Sequence, residues 1–238
     1  AKGYQVFGEP EDLKRAQKAA LFLRQHLYDD KKKILYRRWR EGERQAFGIA
    51  DDYAVVIQGL LDLYESDFDP EWITFAEVLN RVMLERFYDD VRGGFFMTAA
   101  DQDVHLLLRF KEDQDNVEPS ASSVAAMNLL RLAQFKNDES YRTKAIKTLE
   151  CFGGTMHMSP RALPSMLSAL DFAETPTRQV VIAGETAKKD AQALLEVVYA
   201  RFLPVKVLAH ASLPAFSDKK SSGGCAVAYV CENFVCKE

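Results

Sequence analysis

The chain has 238 residues, of which 47% are hydrophobic and 28% charged, with a formal net charge of −4. This is the balance of a folded globular protein rather than a disordered one. The basic run Lys31-Lys32-Lys33 follows Asp29-Asp30 and reads as a solvated turn, so nucleic acid is not an expected ligand. No segment approaches the roughly 20 apolar residues of a membrane span, and no signal-peptide pattern opens the chain. A soluble chain with no membrane partner is expected, its compartment open. The opening Ala1-Lys2-Gly3-Tyr4 lacks an initiator Met and is expected of a piece of something longer.

In chain order, an amphipathic helix is predicted over 10–27, with Pro10 in its first turn. Leu13, Ala16, Ala20, Phe22 and Leu23 recur along it at helical spacing. A β-hairpin follows, with Ile34-Leu35-Tyr36 and Gln45-Ala46-Phe47 around a charged turn. The next predicted helix, 53–64, is apolar nearly all round, with Val55, Val56, Ile57, Leu60, Leu61 and Leu63, and a helix without a polar face is buried.

The pattern then repeats. Pro10-Glu11, Ala16 and Tyr28-Asp29-Asp30 recur as Pro70-Glu71, Ala76 and Tyr88-Asp89-Asp90. A helix is predicted over 70–87, and a second hairpin pairs 94–97 with 106–108 around 99–103. A second buried helix, 120–135, carries Asn128-Leu129-Leu130-Arg131-Leu132 in the register of Gly59-Leu60-Leu61-Asp62-Leu63. A third pair, 139–152 outside and 160–172 inside, completes the series. The predicted fold class is mainly α: a partial six-hairpin (α/α) toroid over 1–175, with inserted β-hairpins and its missing hairpins upstream.

After Thr175-Pro176 the pattern changes to a small α/β unit over 176–238. Strand 179–183, helix 188–202 and strand 205–209 form a βαβ-like unit, with Gly184 and Thr186 supplying the turn and the helix cap. One or two short strands are predicted over 225–236. Cys231 and Cys236 are spaced too widely for a redox C-x-x-C or the usual zinc pair. No metal and no cofactor are expected.

In such a toroid, the loops entering the inner helices share one rim. Asp51-Asp52-Tyr53 opens the first inner helix, and Lys111 to Asp115 with Glu118-Pro119-Ser120 opens the second. Carboxylates facing each other across a cavity serve as acid and base in glycoside chemistry. The competing reading is that Asp51 caps its helix and its neighbours favour the positive helix end. Asp52, Asp115 and Glu118 are therefore the candidate catalytic groups. Tyr53, Trp39, Lys111 and Ser120 are the candidate substrate contacts, although capping alone also accounts for Ser120. A proton relay between paired cavity histidines is disfavoured. His26 ends an outer helix, His105 falls in a hairpin strand, His210 lies in the appended unit, and only His157 precedes an inner helix.

Several blocks resemble one known family, the spermatogenesis-associated protein 20 family. They are Asp52-Tyr53-Ala54 with 59–65, Gly93-Gly94-Phe95-Phe96, 111–132, and 228–233 with Cys236. The resemblance runs from about residue 5 to the end. It implies a toroid like those of N-acylglucosamine 2-epimerases and six-hairpin glycosidases, and a thioredoxin-like domain upstream in the same protein. Asn116 and Ser122 stand where relatives usually have Gly and Asn. The family's activity is not established. Two functions are thus carried forward: a binding or scaffold toroid serving the upstream domain, and a carbohydrate-active enzyme using rim carboxylates on a sugar or other small molecule.

Overall fold

A computed structural model describes residues 1–101, 107–232 and 235–237, the last three by their backbone. A short helix, α1 (Lys2–Phe7), precedes α2 (Pro10–Phe22), which continues as a π-helical turn through Leu27. Pro10 sits in the first turn of α2, where its missing N–H costs nothing. Strands β1 (Tyr28–Asp29), β2 (Ile34–Arg40) and β3 (Glu43–Phe47) form an antiparallel sheet in that order. The predicted hairpin is its β2–β3 half.

Helices α3 (Ala50–Asp67), α5 (Ala121–Lys136) and α8 (Pro164–Glu174) lie side by side as the inner row. Helix α4 (Pro70–Phe87) packs on α3, and α6 (Glu139–Cys151) packs on α5. The two outer helices start alike, with Asp69 and Asp138 each accepting a backbone amide two residues on. The alternation of buried and amphipathic helices is therefore as predicted, and the molecule is a mainly α, six-hairpin-type toroid segment.

Two elements differ from prediction in the linking chain. In the second predicted hairpin, no ladder among the described residues joins 94–97 to 107–108, and the Met97 amide donates to Phe110 O. Instead Phe95 bridges back to Tyr88, with the Phe96 amide donating to Phe87 O and the Asp89 amide to Gly94 O. Leu107 and Leu108 are exposed and lie in no strand, while Leu106 and His105 fall outside the described residues. The tail of α4 supplies the nearer backbone partners for Phe95 and Phe96. The third inner helix starts later than predicted, at Pro164, after α7 (Gly153–Met158) and a 3₁₀ turn at Pro160–Ala162. A proline can begin a helix but cannot donate inside one, so Pro164 sets the start.

The C-terminal sheet has the order β5-β4-β6-β7, from β4 (Arg178–Ala183), β5 (Lys206–His210), β6 (Val227–Glu232) and β7 (Val235–Lys237). Strands β4 and β5 are parallel and joined through α9 (Lys189–Tyr199), as a βαβ unit requires. The cap of α9 is Lys188 rather than Thr186, which lies too far upstream and accepts from Gln192 Nε2 through its carbonyl. Gly184 has φ +141°, and a Cβ there would sit 2.9 Å from Ala226 Cα, so the β4–β6 approach demands glycine. Cys231 is disulfide-bonded, and the β6–β7 register sets its backbone opposite Cys236.

The sheet seats on the C-terminal ends of the inner helices. Tyr64 Oη accepts from the His210 amide, Glu65 Oε1 accepts from the Leu208 amide, and Gln179 Nε2 donates to Gln134 Oε1. One apolar core runs unbroken from the helices into the sheet. Among the described residues no helix is long and apolar enough to cross a membrane.

Candidate functional site

The entrances of α3, α5 and α8 do gather on one rim, and each is built from backbone amides that need acceptors. At α3 the helix begins at Ala50, and Asp52 closes a capping box by accepting from the Ile49 amide at 2.8 Å. Its Oδ2 also meets Arg37 Nε at 3.1 Å. Capping therefore falls to Asp52 and not to Asp51, the reverse of the competing sequence reading. Burial raises the Asp52 carboxyl, against the opposing pull of the Ile49 amide and Arg37.

Asp51 is the unusual group. Its Oδ1 is buried and, among the described residues, has no hydrogen-bond partner. Burial first, then the negative charges of Glu112 and Asp52, push its carboxyl up to about 6, while the Ala121 amide and Arg37 pull the other way. Asp51, Asp52, Arg37, Gln58 and Glu118 line one pocket of about 450 Å³, whose apolar walls include Val55, Val56 and Leu27. Few polar groups converging in a mostly apolar concavity is the usual make-up of a small-molecule site.

Of the other candidate residues, the structure commits most to architecture. Asp115 accepts from the Ser120 amide at 2.9 Å through Oδ1 and from the Ser165 amide at 2.8 Å through Oδ2. It thereby ties the entrance of α5 to that of α8. Tyr53 is fully buried, and its hydroxyl accepts from the Leu35 amide at 2.8 Å. Ser120 is likewise buried, caps α5 by accepting from the Ser123 amide, and contacts Ser123 Oγ.

Lys111 Nζ donates to Asp89 Oδ2 at 2.7 Å and to Gly93 O at 2.6 Å, with the Phe96 ring beneath it. Burial would raise Asp89, but Lys111 and the Arg92 and Val91 amides hold it at about 2. Gly93 is pressed against Lys147 O, where a Cβ would sit at 2.2 Å, which explains the glycine pair. Trp39 lies apart from the rim pocket, edge-on to Phe22 and tilted on His26, in a groove of about 470 Å³. His157 lines an apolar recess among α6, α7 and α8. Ser122 is buried on the Phe95 backbone, so its replacement of Asn lies outside the pocket.

Sequence reasoning missed Arg37 as a site residue and set Asp51 aside as a cap. The signal for Arg37 was its place on β2 two residues before Trp39. Strand alternation puts both on one face, but only the docking of β2 over α3 shows that Arg37, unlike Trp39, reaches the rim.

No protein-family profile matches the chain. Spermatogenesis-associated protein 20 of Homo sapiens is 35% identical over 249 residues, which cover 97% of this chain and 32% of that protein. The Mus musculus protein of that name is also 35% identical, with the same coverage. The chain thus spans about a third of the length of the curated relatives it matches. Among solved structures, an unsaturated glucuronyl hydrolase described with dGlcA-Glc-Rha-Glc aligns with a TM-score of 0.51 at 14% identity. That alignment covers 82% of this chain and 57% of the other. Likeness at this identity shows the fold.

Proposed function

The chain belongs to the spermatogenesis-associated protein 20 family, and from that premise we propose that this part of the family is a binding toroid. It holds a small polyol, of the carbohydrate class, in the rim pocket and presents it to a thioredoxin-like domain of the same protein. The observation that carries this reading is Asp51: a buried carboxyl oxygen with no hydrogen-bond partner among the described residues, beside Gln58 and Glu118 in a pocket of about 450 Å³. A buried polar atom without a partner is costly, and a ligand hydroxyl would supply the missing hydrogen bond.

Catalysis is the second reading, and the raised Asp51 carboxyl favours it, since a general acid works best near the operating pH. A glycosidase needs two available carboxyls roughly 5–10 Å apart. Asp115 spends both oxygens on backbone amides, and Asp52 spends Oδ2 on Ile49 and Arg37. That leaves Asp51 and Glu118.

Saturation-transfer NMR of the chain with a panel of neutral mono- and disaccharides tests the proposal. Binding is expected, at least tenfold weaker in Asp51→Asn and in Glu118→Gln, with every sugar recovered unchanged. Absence of binding across the panel overturns the proposal. Turnover that Asp51→Asn abolishes replaces it with the enzymatic reading.

A further inference from the structure

The two inner-helix blocks recognised as repeats carry one charge reversal, Asp62 in the first and Arg131 in the second. Because equivalent positions on adjacent inner helices face one another, the two meet: Arg131 Nη1 lies 2.8 Å from Asp62 Oδ1. Around them a second pocket of about 300 Å³ is lined by Lys2, Asp62, Glu65, Arg131, Arg201 and Lys206, among others. Gln58 lines both this pocket and the rim pocket, so the two follow one face of α3.

The charges in this pocket do not balance. Four cations face two carboxylates. Three of the cations share a single oxygen, Glu65 Oε2, at distances beyond a good hydrogen bond: Arg131 at 3.4 Å, Lys206 at 3.6 Å and Lys2 at 3.7 Å, while Lys2 and Arg131 also share Asp62 Oδ1, Lys2 at 3.3 Å. Among the described residues Arg131 Nη2 makes no hydrogen bond, although the side chain is only 8% exposed. The Lys206 side chain is 14% exposed. Anchoring of the sheet accounts for Glu65 Oε1, which accepts from the Leu208 amide, but not for the surplus of donors.

We propose that this pocket is an oxyanion site, taking the carboxylate or phosphate group of a small ligand on Lys2, Arg131 and Lys206. Guanidinium and ammonium groups converging from three elements suit such a group in number and geometry. The volume fits a ligand of monosaccharide size, at the lower end of small-molecule pockets. Burial lowers Lys206 from the ordinary lysine range, against the raising effect of Glu65, and an added anion would act in the same raising direction as Glu65.

Calorimetric titration of the chain with inorganic phosphate, glucuronate and glucose at low ionic strength tests the site. Saturable binding of phosphate, of glucuronate or of both is expected, and which anion binds identifies the preferred group. Lys206→Met should weaken binding at least tenfold and Asp62→Asn should tighten it severalfold, while Lys189→Met on the exposed face of α9 leaves it unchanged. Should Lys206→Met fail to fold, the exposed Lys2→Gln takes its place, with a weakening of about threefold expected. Binding of neither anion, or binding indifferent to both lysine variants, overturns the site. Asp51→Asn separates the two pockets: it should weaken neutral-sugar binding at the rim at least tenfold and leave inorganic phosphate binding untouched.

Discussion

At Asp51 the local sequence and the environment pull apart. The residue sits in the first turn of α3, where a carboxylate is ordinarily welcome, yet burial and the nearby Glu112 and Asp52 carboxylates raise it from 3.8 to about 6. The sign of the consequence is fixed by linkage. The folded chain keeps a proton that the unfolded chain has released, so the stability tied to this group is complete below about pH 4 and lost as the pH rises through 6. Asp51→Asn should therefore flatten the stability profile between pH 4 and 6. It should also stabilise the chain at pH 7 by about 1 kcal/mol, after allowance for solvent screening of a half-buried group. Thermal melts across that range check this, and a variant less stable than the parent at pH 7 contradicts it.

Among the elements, the inner-helix entrances depend on two aspartates doing different jobs. Asp52 closes a capping box within α3, a local interaction worth about 1 kcal/mol. Asp115 holds two helices together by satisfying an amide at the start of each, and its loss would leave two part-buried donors without acceptors. Urea denaturation should show Asp115→Ala costing about 2–3 kcal/mol and Asp52→Ala about 1 kcal/mol. Equal losses would show that Asp115 does not join α5 to α8. The first hairpin was legible because its strands flank a compact charged turn, and β2 and β3 form where predicted. In the second, which lies partly outside the described residues, Gly93-Gly94-Phe95-Phe96 finds backbone partners at the end of α4, a choice made by proximity rather than by hydrophobic pattern.

For the molecule as a whole, Glu65 is where helices and sheet are locked together. Burial would raise its carboxyl, but Arg131, Lys206 and Lys2 overcome that and hold it below the ordinary range. Oε1 meanwhile accepts from the Leu208 amide on β5, and the Glu65 carbonyl accepts from Tyr199 Oη. Glu65→Ala would take from Lys206 its carboxylate partner, leave Arg131 with Asp62 alone and remove a strand acceptor, at a cost of about 3–5 kcal/mol. Because the core is continuous, hydrogen exchange should quicken in β5 and α3 together. Acceleration confined to β5 would mean that sheet and helices unfold separately.

Hydrophobic period and capping chemistry are local properties, and through them the sequence by itself determined the first two inner helices and the outer helices, the order of inner and outer elements, the shared rim and the βαβ unit. The roles of individual charged side chains were decided only in three dimensions. Asp51 and Asp52 are adjacent in the chain, and which one caps depends on where α3 begins and on Arg37 arriving from β2. Asp62 and Arg131 were visible as a repeat position, but their pairing, and the lysines gathered around Glu65, needed neighbouring helices and a strand from the far end of the chain. Burial and charge interactions act through space, and distance along the chain does not measure them.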